Sequence, residues 1–311
     1  MSTSIRERSG FLEDDEFDAA LSVELVQNVV REQFPHLAHC SVEYLESGWS
    51  YDAYLVDGTL VFRFPRHAVV ADDLARRERI LALVSAAVGA HVGIPRSVLR
   101  GTPGARFPYE FTAHEYISGD QAWNVALTPD LAVDIGRALT RIHAIRVSSE
   151  AAIDIPAAAV ATCRDLLDQT WESVSRVPDV ESLVPGPYRW LAAGPPAPDD
   201  YDGPPRLIHS DLLPRHIIVN RETGRLSGIL DWEPVLGDPA FDFSYLPYSG
   251  SLSFLRQAMS AYELSTDHAF AERTMFLARI RSLGWMAHAI EDNWCSPAEH
   301  RFVINAFGLS E

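Results

Sequence analysis

The chain has 311 residues, 47% of them hydrophobic and 22% charged, which is enough for two lobes with separate cores and gives no sign of disorder as the main state. A net charge of −17 argues against nucleic acid as a natural partner, because phosphate backbones want a basic face, and suits a cationic small molecule. No apolar run of membrane-spanning or signal-peptide kind occurs, and Cys40, Cys163 and Cys295 have no CxxC spacing, so a reducing cytoplasm is expected, with no membrane partner, disulfide framework or zinc knuckle.

In chain order, residues 23–33 have helical spacing, and Ser22 is placed to cap them. Strand-like runs follow at 41–46, 53–56 and 59–64, the last two joined by Asp57-Gly58, a hairpin signal. Residues 72–84 read as a helix with Leu74, Ile80, Leu81 and Val84 on its apolar face, and β character returns at 109–117. The chain then turns helical at 129–145 and 157–174. Residues 185–205 hold seven prolines and three glycines and read as a loop. Strands are expected at 206–209, 216–220 and 226–230, and a long helix at 271–292. The expected fold class is α+β and bilobal, with a β-rich N-terminal lobe over residues 1–117 and a larger, mainly helical lobe over 118–311.

The stretch His209-Ser210-Asp211-Leu212-Leu213-Pro214-Arg215-His216, followed by Leu230-Asp231-Trp232, carries the chemistry. It sets a carboxylate in a loop after an apolar strand, a metal-ligand type five residues later, and a second carboxylate at the end of another strand. Phosphoryl transfer to a hydroxyl needs this set: an acceptor for the nucleophile's proton, and oxygen or imidazole ligands for the Mg²⁺ that accompanies a nucleotide. Asp211 is the candidate that orients the attacking hydroxyl and accepts its proton. His216 and Asp231 are the candidate Mg²⁺ ligands; imidazole also suits zinc, but no further ligand cluster accompanies it. His209 reads as a structural hydrogen-bonder.

These segments resemble the HGDxxxxN catalytic loop and the I-D-[FW] metal segment of the aminoglycoside phosphotransferase family, which shares the protein-kinase fold. Ser210 stands where the family has Gly, and His216 where it has Asn. A His there is a feature of two subgroups, the aminoglycoside 2''-phosphotransferases and the macrolide phosphotransferases. Residues Tyr44–Val56 and Val61–His67 are similar to the 2'' enzymes' nucleotide loop and third strand, which implies nucleotide contacts at Ser47 and Gly48 and a phosphate contact at Arg63, with Glu78 as its ion-pair partner. His114, Glu115 and Tyr116 match the segment that meets the purine base. Leu139–His143 is similar to a family helix and reads as core packing. Asp238–Phe243 is similar to the segment after the metal site, and Asp242 is implied to stabilise the catalytic loop.

The resemblance implies an antibiotic kinase that uses ATP or GTP with Mg²⁺ and confers resistance. For an aminoglycoside, the expected cation-binding residues are Asp165, Asp168, Glu172, Glu291 and Asp292. A macrolide would instead need an apolar wall, for which Trp285, Met286, Trp294 and Phe270 are candidates. A metabolite kinase of the same fold and a binding protein without catalysis are the rival readings; retention of Asp211, His216 and Asp231 disfavours the last.

Overall fold

A computed structural model describes residues 20–146, 155 and 162–309. They form two compact units: one takes the chain to Ala86 together with Gly93–Ile117, the other takes Ala87–Val92 and the chain from Ser118 on. The first is sheet-rich and the second mainly helical, as the order of strand-like and helical runs led one to expect.

In the first unit, helix α1 (Val23–Gln33) begins where the Ser22 hydroxyl accepts the Leu25 N–H. An antiparallel five-stranded sheet follows in the order β1-β2-β3-β5-β4. Its strands are β1 (Val42–Ser47), β2 (Tyr51–Val56), β3 (Leu60–Pro65), β4 (Ser97–Gly101) and β5 (Phe111–Glu115). Asp57 and Gly58 turn the β2–β3 hairpin with φ of 56° and 66°, the left-handed pair that a two-residue turn requires. Alternation then sorts the side chains. Tyr54, Val56, Phe62, Phe64, Phe111 and Ala113 share the face that packs against Val26, Val29 and Val30 of α1. Registers Ala53 to Arg63, Val61 to His114 and Arg63 to Thr112 put the odd-numbered residues of β2 and β3 on the opposite face with His114 and Thr112. Helix α2 (Ala68–Val88) is longer than its expected span, and strand β4 was not expected at all.

The second unit contains α3 (Pro129–His143), α4 (Cys163–Ser175), α5 (Pro178–Leu183), α6 (Pro185–Ala192), α7 (Ala240–Phe243), α8 (Leu252–Ser260), α9 (Phe270–Glu291) and α10 (Pro297–Ala306). Part of the expected 157–174 helix lies outside the described residues. The loop expected over 185–205 is corrected by α6: Pro185 sits in its first turn, where a missing N–H costs nothing, so proline there starts a helix. Strands β6 (Asp120–Gln121), β8 (Ile217–Val219) and β9 (Leu226–Ile229) pair in the order β6-β8-β9, and β7 (Arg206–Ile208) pairs with β10 (Val235–Gly237). Arg273 of α9 is buried and ties down Asp238 and Asp267 at 2.7 Å each. Among the described residues no helix is long and apolar enough to cross a membrane, and the three cysteines are free thiols.

Candidate active site

Strand β7 delivers His209-Ser210-Asp211 into a loop whose shape is set by one buried carboxylate. Asp242 of α7 accepts the backbone N–H groups of His209 and Ser210, each at 2.9 Å. Its Oδ2 also lies 3.0 Å from His143 Nε2, and His143 Nδ1 lies 2.9 Å from the Tyr262 hydroxyl. Burial pushes the Asp242 carboxyl up, but the hydrogen bonds and charge of its histidine neighbours outweigh it, and it titrates below the usual carboxylate value. His143, expected only to pack, is thus a polar link in this chain. The signal was its position: a histidine closing an amphipathic helix on the buried side.

Ser210 has φ of 69°, in the left-handed region where a Cβ is strained. Its hydroxyl donates to the Glu233 carbonyl at 2.6 Å, a bond that glycine could not make. His209 is buried; its Nε2 meets the Leu230 carbonyl at 2.8 Å, and its Nδ1 accepts the Asp211 N–H at 3.2 Å. Burial, first among several causes, lowers its pKa and favours a neutral ring. It acts as the structural hydrogen-bonder that was expected, and beyond that it links the loop carrying Asp211 to the segment before Asp231.

Asp211, His216 and Asp231 converge, each offering a ligand atom within 4.8 Å of the others. His216 Nδ1 lies 2.7 Å from the Asp211 carbonyl oxygen, and Nε2 lies 3.3 Å from Asp231 Oδ2. The Leu230 N–H donates to the His216 carbonyl at 2.7 Å, which joins the two segments by backbone as well. Asp231 itself takes φ of 54°, tolerated by Asp better than by most residues. Behind it, Trp232 is buried, donates to the Ile229 carbonyl at 2.9 Å and sets its ring 4.6 Å from that of His209. Two carboxylates and an imidazole on rigid backbone make a donor set that suits a divalent cation. Arg215, which the sequence did not single out, donates its Nε–H to His216 Nε2 at 2.8 Å.

In the first unit, the Arg63 guanidinium lies 4.1 Å from the Tyr51 ring centroid on the sheet face shared with His114. Glu78 accepts the Ser97 N–H at 3.1 Å. Burial first, and then the charge of Arg63, push the His114 imidazole down to about 4, against the hydrogen bond it makes to the Glu115 carbonyl. The Tyr116 N–H is taken by the Thr59 carbonyl at 2.7 Å, so of that segment's backbone groups this one serves the sheet. Ser47 ends β1 and Gly48 opens the turn to β2, and both are pinned: Arg66 donates to the Ser47 hydroxyl at 2.8 Å and to the Gly48 carbonyl at 2.9 Å, while the Ser47 hydroxyl donates to buried Asp52 at 2.5 Å. Asp52 and Arg66 went unremarked in the sequence, where one Asp and one Arg in charged surroundings carry no signal.

Of the expected substrate residues, Asp165, Asp168, Glu172 and Asp292 have local partners. Asp165 closes a capping box with Thr162 at the start of α4. Asp168 faces Arg164 at 4.0 Å and Glu172 faces Arg176 at 3.0 Å, both on the exposed surface. Asp292 faces His288 at 3.3 Å, and Glu291 is exposed. Phe270 and Met286 are buried in the core, so they cannot line a wall; α9 turns them inward. Trp285 and exposed Trp294 meet edge to face, with centroids 5.5 Å apart. Trp285 also packs against a cluster of Leu213, Tyr245, Tyr248 and Phe302, and Leu213 is two residues beyond Asp211.

The model of the phosphotransferase enzyme family matches residues 41–273. No curated protein sequence matches the chain. Among solved structures, it is similar to the GDP complex of wild-type aminoglycoside 2'-phosphotransferase-IIIa, with 24% identity and a TM-score of 0.71 over 92% of this chain and 99% of that one. It is similar to an APH(2") enzyme with GDP and kanamycin, with 23% identity and a TM-score of 0.66 over 91% of this chain and 96% of that one. Macrolide 2'-phosphotransferase MphH from Brachybacterium faecium follows, with 19% identity and a TM-score of 0.58 over 91% of this chain and 97% of that one. At these identities the likeness shows the fold, the kinase-like fold of antibiotic phosphotransferases.

Proposed function

The chain belongs to the phosphotransferase enzyme family, and on that premise we propose that it is a cytoplasmic antibiotic kinase that transfers the γ-phosphate of ATP or GTP to a hydroxyl of an aminoglycoside, conferring resistance. The observation that carries the reading is the convergence of Asp211, His216 and Asp231 on a loop held by buried Asp242.

Asp211 is the catalytic residue of this reading. Its side chain is 29% exposed, enough to meet a hydroxyl from solvent, while its backbone N–H and carbonyl are engaged by His209 and His216. The hydroxyl oxygen attacks the γ-phosphorus, the bond to the nucleoside diphosphate breaks, and the hydroxyl proton passes to the Asp211 carboxylate. In a loose phosphoryl transition state positioning matters more than basicity, so a rigid loop is the main contribution. His216 and Asp231 would hold Mg²⁺, which supplies neutralisation of charge on the phosphates. Arg63 offers a fixed positive charge to the nucleotide phosphates, with Tyr51 beneath it and Glu78 on the neighbouring helix. Ser47 and Gly48 offer loop contacts, and residues His114 to Tyr116 line the base.

The charge of −17 supports a polycationic acceptor, with Asp165, Asp168, Glu172, Glu291 and Asp292 as its contacts. The ion pairs of Asp168, Glu172 and Asp292 are exposed, and exposed ion pairs are weak enough to be exchanged for substrate ammonium groups. A second reading, a macrolide acceptor, is favoured by the aromatic cluster around Trp285 that reaches the catalytic loop at Leu213. Incubation with ATP or GTP and a panel of aminoglycosides and macrolides, with mass detection of a phosphorylated product, tests both. No product from any of them would refute the antibiotic-kinase reading.

A further inference from the structure

We propose that Arg215 is an internal cation that holds the lone pair of His216 Nε2 until a divalent metal displaces it. The proposal rests on His216 being a metal ligand and says what occupies that ligand beforehand. Hydrogen bonding fixes the ring's protons. Nδ1 lies 2.7 Å from the Asp211 carbonyl oxygen, which can only accept, so Nδ1 carries the hydrogen. Nε2 lies 2.8 Å from Arg215 Nε, which can only donate, so Nε2 presents its lone pair.

An imidazole nitrogen has one in-plane lone pair, and a guanidinium N–H and a metal ion cannot both use it. Asp231 Oδ2 is 3.3 Å from the same Nε2, so a metal ion seated at that nitrogen would meet this carboxylate as well. Metal therefore binds the nucleotide-free protein weakly, against a built-in competitor, and Arg215 sets the threshold.

The test uses the full chain without nucleotide and Mn²⁺ as the probe, with free Mn²⁺ followed by electron paramagnetic resonance. Arg215→Met and Arg215→Gln should tighten Mn²⁺ binding about tenfold, the factor expected when a charge-assisted hydrogen bond no longer has to be broken. In a His216→Ala background the same substitutions should tighten it far less, because the contested lone pair is gone. In ¹⁵N-labelled wild type, Mg²⁺ should shift the Arg215 Nε–H and His216 Nε2 resonances together. Equal tightening with and without His216 would mean simple charge repulsion, and unchanged Mn²⁺ affinity in both Arg215 variants would mean no competition; either overturns the proposal while leaving the metal assignment intact. If His216→Ala alone leaves Mn²⁺ affinity unaltered, His216 is no ligand and both readings fall.

Discussion

Asp242 Oδ2 and His143 Nε2 lie 3.0 Å apart with both side chains fully buried, and the same carboxylate receives the backbone of the loop that carries Asp211, at His209 and Ser210. Asp242→Asn preserves volume but turns an N–H donor toward groups that need an acceptor. The variant should lose about 3 kcal/mol of stability, read by urea denaturation at pH 7. The folded pKa is depressed, so this stabilisation is present above the unfolded carboxyl value and is lost as pH falls through the folded one. Wild type should therefore lose stability at the acid end more steeply than Asp242→Asn. A variant as stable as wild type at neutral pH would show that the clamp is not holding the loop.

Ser210 combines a strained φ of 69° with a 2.6 Å hydrogen bond to the Glu233 carbonyl. Ser210→Ala keeps the strain and loses the bond, and should cost about 1 kcal/mol. Ser210→Gly loses the bond but relieves about 1 kcal/mol of strain, so it should stay close to wild type. Equal destabilisation by Gly and Ala in thermal melts would contradict a left-handed conformation at this residue.

His114 is held neutral, with its pKa lowered to about 4 by burial above all. The unfolded chain binds its proton near the ordinary value, so between that value and about 4 the unfolded state carries the extra proton and stability falls as pH drops. The shift corresponds to roughly 3 kcal/mol across this window. His114→Gln should flatten that part of the stability profile. An unchanged slope would place the imidazole in a solvated setting.

Much of this was legible in the sequence because short-range signals agreed with tertiary demands. The Asp57-Gly58 turn and the Ser22 cap need only local residues to be read, and the chain folds them as written; Asp211, His216 and Asp231, singled out by their residue types and spacing, are brought within 4.8 Å of one another. Strand β4 escaped because Val98 and Arg100 are exposed and its alternation is weak. Helix α6 escaped because proline count says nothing about which prolines sit in a first turn. The Asp52 to Arg66 and His143 to Asp242 links join residues 14 and 99 apart, and pairing at such range leaves no local trace.

If exposed carboxylates receive a polycationic acceptor, KM for an aminoglycoside should rise steeply between low and physiological salt, since such pairs are screened over about 8 Å. Neutralising one or more of Asp165, Asp168, Glu172, Glu291 and Asp292 should raise KM with kcat little changed. Salt-insensitive turnover of a macrolide, with no aminoglycoside product, would reverse the order of the two substrate readings and point to the cluster at Trp285.

Asp211→Asn is the most direct test of phosphoryl transfer at this site, because it removes the proton acceptor and leaves the backbone bonds to His209 and His216 in place. Steady-state turnover with ATP or GTP and the accepted antibiotic, measured as phosphorylated product by mass, should fall on the order of 10²–10⁴-fold with the melting temperature little changed. Turnover within about threefold of wild type, in a folded Asp211→Asn variant, would contradict the assignment.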